Sequence, residues 1–235
     1  MHEEITSGHT MPEVISLLCE RRWEAVLHRG VWLFAVGAMA GFLLESLESA
    51  VSLGYVQNRQ GMLYGPFSPI YGVGAVLFAL AAPLLRGRPR WAMFLVTAAL
   101  ATGAEYLCAL AQERAFGVRF WDYSHLGLSL SGRVTLLFTL WWGALGVAFI
   151  RWVWPAFEGL IDGLRRPGKR LLTAALLALF LFDAGLSAAA LTRQEQRRHD
   201  LPAATAFGAF LDERYPDQRL EEMFPTMREL EQKTD

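Results

Sequence analysis

Five apolar blocks separated by short polar runs dominate the chain. They run about Val31 to Leu53, Phe67 to Leu85, Trp91 to Ala111, Val134 to Trp154 and Leu171 to Leu191. A helix that crosses a bilayer needs about 20 mostly apolar residues. The second block is the shortest and starts among prolines and glycines, so its beginning is the least defined. The pattern predicts an all-α fold: a polytopic membrane helix bundle with five transmembrane helices over residues 31–192. Before it, Ile15, Leu18, Cys19, Trp23, Val26 and Leu27 fall at helical spacing with Arg21, Arg22 and Arg29 among them. Residues 1–30 therefore read as an amphipathic interfacial helix. After it, residues 193–235 form a polar tail carrying Phe207, Phe210, Leu211, Leu220, Met223, Phe224 and Met227, broken by Pro216 and Pro225. Short helices docking on the protein or the membrane surface are expected there.

Composition supports this reading. Of 235 residues, 53% are hydrophobic and only 19% charged, which excludes a disordered chain and a coiled coil. The formal net charge of −1 gives no basic bulk for nucleic acid. Cys19 and Cys108 make neither a disulfide framework nor a metal spacing, and no HxxxH or CxxC occurs. No metal and no cofactor is expected. The first thirty residues are mixed in charge and the first apolar block is too long for a signal peptide, so the chain is expected to be retained whole. Arg21, Arg22, Arg29, Arg86, Arg88, Arg90, Arg151, Arg165, Arg166, Lys169 and Arg170 flank one side of the spans. Arg59, Arg114, Arg119, Arg133, Arg193, Arg197 and Arg198 flank the other. The bias predicts a multi-pass protein of the bacterial cytoplasmic membrane with its N-terminus in the cytoplasm.

Ionisable groups at membrane depth cost about 2.5–3.5 kcal/mol even on insertion scales, and mark function by default. Glu45 and Glu48 share a face of the first span, which Gly37 and Gly41 continue. Glu105 lies in the third span between Ala101 and Ala109, and Asp183 in the fifth with Ser187 one turn on. The glycine-rich loop 54–74 carries Asn58 and Arg59 at its tip. The loop 112–133, on the same side, carries Trp121, Asp122, Tyr123 and Ser124, then Gly132 and Arg133. Asp122 is placed to accept from Arg59, Arg119 or Arg133, since carboxylate and guanidinium pair through two bonds. These groups predict one polar cavity open to the outer side, binding its ligand through Glu45, Asn58, Arg59, Glu105, Trp121, Asp122, Tyr123, Ser124 and Arg133. The balance of charges suits an anionic, zwitterionic or proton-coupled ligand.

Glu45, the run from Asn58-Arg59 through Gly65-Pro66, Pro69 and Tyr71-Gly72, Glu105-Tyr106, Trp121-Asp122-Tyr123-Ser124 and Gly132-Arg133 together resemble the CmpB family. That family consists of bacterial five-span membrane proteins labelled as ABC-transporter type IV permeases. The resemblance covers about Phe34 to Thr192 and implies transport, with a separate ATPase subunit as partner.

The residues themselves leave more than one activity open. Gly163 to Arg170 approaches a Walker A motif, but Arg170 stands where the magnesium-binding hydroxyl belongs, and no strand precedes it. No nucleophile–base pair is evident, and His125 is the lone histidine near the site. A permease-type transport component for a small solute is the leading expectation. A membrane-embedded enzyme or binding protein acting on a lipid head group is the alternative, with Glu105 or Asp122 as base and Arg59 and Arg133 stabilising negative charge. A third possibility is that the polar cluster only fixes helix packing. With five spans, transport favours a homodimer or a partner complex, and Gly37-x-x-x-Gly41 is a candidate contact.

Overall fold

The structure, a computed structural model, describes residues 11–163 and 167–229. The described residues are all-α apart from four two-residue strands. Helix α1 spans Met11–Leu53, α2 Pro69–Leu85, α3 Arg90–Phe116, and α4 Leu136–Ala148. A π-helical turn, Phe149–Val153, carries α4 into α5 (Trp154–Gly163). Helix α6 spans Pro167–Arg198, followed by the short α7 (Ala206–Arg214) and α8 (Asp217–Met223). Among the described residues, four helical stretches are long and apolar enough to cross a membrane: Trp23–Leu53, Arg90–Phe116, Leu136–Phe157 and Arg170–Arg198. The predicted second span is the shorter apolar α2, of 17 residues. At 1.5 Å per residue it is roughly 25 Å long.

The amphipathic segment before the first block is not a separate helix. It runs unbroken into α1, because no proline or glycine pair interrupts the register. Trp23, Val26 and Leu27 stay exposed along it. The side chains of Ile15, Leu18 and Cys19, and residues 164–166 at the centre of the near-Walker run, lie outside the described residues.

Other boundaries shift for local reasons. Pro69 occupies the first turn of α2, where its missing N–H costs nothing, so that helix starts two residues after Phe67. Val134–Thr135 (β3) pairs antiparallel with Ser129–Leu130 (β2), so α4 begins only at Leu136. Pro155 cannot donate to the carbonyl of Arg151, four residues back, and the helix answers with the π turn, in which Trp154 N–H bonds Phe149 O.

Helices α1 and α2 approach closely along Gly37 and Gly41. A Cβ on Gly37 would lie 2.7 Å from the Ala75 Cβ, and one on Gly41 would enter the Tyr71 ring. The small-residue motif is thus filled from within the bundle by α2. Gly41→Ala is expected to lower stability by about 1–3 kcal/mol through overpacking. Gly30→Ala, with open space around it, is expected to do no harm, and thermal unfolding in mild detergent compares the two.

The tail docks on the protein. Leu211, Tyr215, Leu220 and Phe224 are buried with Leu63, Ala190 and Leu191 in one apolar cluster. Val118–Arg119 (β1) pairs antiparallel with Arg228–Glu229 (β4). Asp212 accepts from Arg193 at 2.9 Å through both carboxylate oxygens and from Arg197 at 2.6 Å. The Arg193 bonds hold the Asp212 carboxyl below its usual range. Tail, loop 54–68 and loop 117–135 therefore cover the same end of the bundle.

Candidate functional site

Glu105 sits on α3 facing α4 and is 4% exposed. Its two carboxylate oxygens accept from Tyr123 Oη at 3.0 Å and Trp142 Nε1 at 3.1 Å. Tyr123 reaches it from the loop, stacked on Phe138 with ring centres 4.7 Å apart. Burial first, then the charge of Glu105, push the Tyr123 hydroxyl above its usual range, so it remains a donor. Trp142 packs in turn against Tyr71 of α2, 5.0 Å between centroids.

Glu45 lies across this aromatic group, on α1. It accepts a hydrogen bond from Ser68 at the mouth of α2, and its charge interacts with those of Arg59, Glu48 and Glu105. Arg59 meets Glu48 at 3.5 Å, with Glu48 largely exposed. The Nε of Arg59 is buried and has no hydrogen-bond partner. The assembly therefore sets two carboxylates from different membrane helices around Tyr71, Trp142 and Tyr123, with a single guanidinium at its rim.

The remaining predicted residues divide differently from the expectation. Arg133 does not meet Asp122. It forks onto Glu113 at the end of α3, with Nε at 3.0 and 3.1 Å and Nη2 at 2.5 Å from the carboxylate oxygens. Its guanidinium also lies over the Tyr106 ring, 5.2 Å from the centroid. Arg119 pairs with the same Glu113, and Asp122 lies 3.7 Å from Arg119. Glu113, partly buried, extends the i, i+4 row of Ala101, Glu105 and Ala109. That spacing was the available signal for it, obscured by its place in the polar run after the apolar block.

Three of the four residues of Trp121–Ser124 shape the loop. Trp121 Nε1 donates to Arg133 O at 2.9 Å. The Ser124 backbone N–H and hydroxyl donate to one Asp122 oxygen at 2.9 and 2.6 Å. The Ser124 hydroxyl bond is the main reason the Asp122 carboxyl titrates below its usual range. Gly132, at φ +71°, passes so close that a Cβ there would lie 2.5 Å from Asp122 Oδ1. Only Tyr123 turns inward to the carboxylates.

Asn58 also has a structural partner: its Nδ2 donates to Met223 O of the tail at 3.1 Å. Asp183, 2% exposed, accepts the Tyr64 N–H at 3.2 Å, and Ser187 accepts that of Leu63 at 2.9 Å. The polar groups of α6 thus hold loop 54–68 in place. Of the four groups named for chemistry on a lipid head group, Arg133 is engaged by Glu113 and Asp122 by Ser124 within the protein.

Family comparison agrees with the membrane architecture. The model of the CmpB family, described as "Putative ABC-transporter type IV", matches residues 32–188. The chain belongs to that family. No match is found among curated proteins or solved structures. The matched region holds both carboxylates, Arg59 and both motif-bearing loops. The CmpB match ends within α6, before the tail that docks over the loops. The extent is close to that of the resemblance read from Phe34 to Thr192.

Proposed function

We propose that this CmpB-family chain is the membrane component of a transport system, and that Glu45 and Glu105 form its solute site. One observation carries the reading: two carboxylates from different membrane helices face one rim guanidinium, which Glu48 already shares. Such an excess of negative charge at membrane depth survives where it works. It favours a small solute bearing a cationic or proton-donating group, held by Glu45 and Glu105. Arg59, with its unpartnered Nε, receives an anionic group at the entrance. Asn58, Trp121, Asp122, Ser124 and Arg133 then position the loops around the site.

In this reading α2 also crosses the membrane, which brings the spans to five. Its Leu80 and Leu84 are exposed like the outward leucines of α1 and α6, which suits a lipid-facing helix. The N-terminal turns of α1 lie at the interface through Trp23, Val26 and Leu27. The N-terminus faces the cytoplasm, since Arg119, Arg133, Arg193 and Arg197 at the opposite end are held in ion pairs. No complete nucleotide-binding motif accompanies the spans, so energy from ATP would come through a separate subunit.

Affinity purification of the full chain in mild detergent, with mass spectrometry of what accompanies it, tests the assembly. An ATPase in stoichiometric amount is the expected result. A protein that purifies reproducibly without one, from cells expressing it at native level, removes the ATP-driven form of the proposal.

A further inference from the structure

Between α3 and α4, residues 126–132 read Leu-Gly-Leu-Ser-Leu-Ser-Gly, with no ionisable side chain from Leu126 to Gly132. They lead into the β2–β3 hairpin, in which Ser129 lies opposite Thr135 and Leu130 opposite Val134. Leu128 and Leu130 are 78% and 60% exposed. We propose that this hairpin is a membrane anchor, with Leu128 and Leu130 lying in lipid where head groups meet acyl chains. The inference rests on Leu136–Phe157 crossing the bilayer and does not depend on the reading of the Glu45–Glu105 site.

Three observations carry it. First, the hairpin is continuous with the outward side of a span. The N–H of Leu136, the first residue of α4, donates to Leu128 O at 3.2 Å. Thr135 Oγ1 donates to Gly127 O at 3.1 Å. From there α4 exposes Leu136, Leu137, Leu140 and Trp141, two pairs spaced four apart on the helix surface. Second, Leu128 has a φ of +56°, which a leucine rarely adopts. Its side chain is exposed, so packing among the described residues does not offset that conformation, whereas apolar surroundings outside the chain do. Third, the backbone of the hairpin is hydrogen-bonded within its own loop. Arg133 N–H donates to Leu130 O at 3.1 Å and Tyr123 N–H to Gly132 O at 2.8 Å. Gly132 N–H donates to Ser129 Oγ at 3.1 Å. Irregular backbone approaches hydrocarbon only when its polar groups are satisfied in this way.

These features select lipid over a second protein surface. A protein partner ordinarily finds hydrogen-bonding groups around the apolar centre of its contact. Here the carbonyls of Gly127, Leu128, Leu130 and Gly132 are already used within the loop. The exposed leucines also run into a helix face that the bilayer itself must cover. Interfacial apolar segments settle about 5–10 Å into the boundary between head groups and acyl chains. Anchoring has a consequence for the carboxylates. Tyr123 O accepts the Leu126 N–H at 2.9 Å, as its own N–H bonds Gly132 O. The anchored segment is therefore the one that holds Tyr123 against Glu105.

The test uses the full native chain, one copy per phosphatidylcholine nanodisc, with a photoactivated diazirine near the head of one acyl chain of the lipid. After illumination, lipid adducts are mapped along the chain by peptide mass spectrometry. Residues 126–130 should be labelled about as densely as 136–141, and roughly tenfold above the exposed face of α8. L128N/L130N removes both apolar side chains and places at 128 a residue that accepts positive φ. It should lower labelling of residues 126–130 roughly fivefold and leave 136–141 unchanged. Should that variant fail to fold by its thermal unfolding, the native labelling alone decides. Labelling of 126–130 no higher than that of α8, or unchanged in the folded variant, overturns the proposal. So does loss of the native labelling when two copies share a disc, which would assign this face to a second copy of the chain.

Discussion

Glu105→Ala should lower stability by about 1–3 kcal/mol, the cost of leaving buried donors unmade. The reason is the pair of donors it abandons: the Tyr123 hydroxyl and the Trp142 indole N–H both end on Glu105. Among the described residues, Glu105 is the acceptor that both donors use. Glu105→Gln keeps one acceptor oxygen but turns an amide N–H₂ toward the second donor, so its loss should fall between the native chain and alanine. Thermal unfolding in one detergent ranks the three. An alanine variant as stable as the native chain would mean that water or lipid already satisfies these donors, and the site would not be the closed polar group described. The glutamine variant matters more for function, because it removes the charge while largely preserving the packing.

Glu113→Gln should have the largest effect on the outer loops. Arg119 and Arg133 both converge on Glu113, with the three side chains 8–16% exposed. Removing the shared carboxylate leaves two neighbouring guanidiniums facing each other. Breaking a buried pair costs about 3–5 kcal/mol, and the partial exposure here points to the lower end. Because Arg133 also positions Trp121 through its carbonyl, the loop that carries Tyr123 should loosen with it. Faster amide exchange across residues 117–135 is the expected signature. Arg133→Lys should recover little, since an ammonium cannot make the forked contact. Unchanged exchange in Glu113→Gln would show that the hairpin and the tail hold the loop without the ion pairs.

Much of the architecture was legible in the sequence because membrane burial demands long apolar blocks and little else. The blocks at Val31, Trp91, Val134 and Leu171 all became long apolar helices, and α2 kept its shortness. Two features escaped that logic. The unbroken α1 depends on an absence of breakers, which an amphipathic-to-apolar change in composition disguises. The pairing β1–β4 joins residues about 110 positions apart, and two-residue strands leave no periodicity to read.

The site was legible in kind and not in partnership. Glu45 and Glu105 stood out because carboxylates are costly in an apolar block. Which carboxylate meets which arginine depends on loop geometry: Gly132 at positive φ brings Arg133 back toward α3, where Glu113 outcompetes Asp122. Glu113 itself carried no cost signal, since it sits among Gln112 and Arg114. Asn58, read as a ligand group at a loop tip, and Asp183, conspicuous as a carboxylate in an apolar block, bond instead to Met223 and Tyr64. Polar residues in a membrane protein also serve to terminate loops, and sequence alone does not separate the two uses.

The central claim is that Glu45 and Glu105 act on a solute and do not merely hold helices together. Untargeted profiling of the small-molecule pools inside and outside cells tests it, comparing cells with the native chain, cells lacking it, and cells carrying Glu45→Gln with Glu105→Gln at matched membrane levels. The account predicts that the double variant reproduces the profile of cells lacking the protein while remaining folded and inserted. A double variant whose profile matches the native chain, against a clear change on deletion, would contradict it and leave the two carboxylates a packing role.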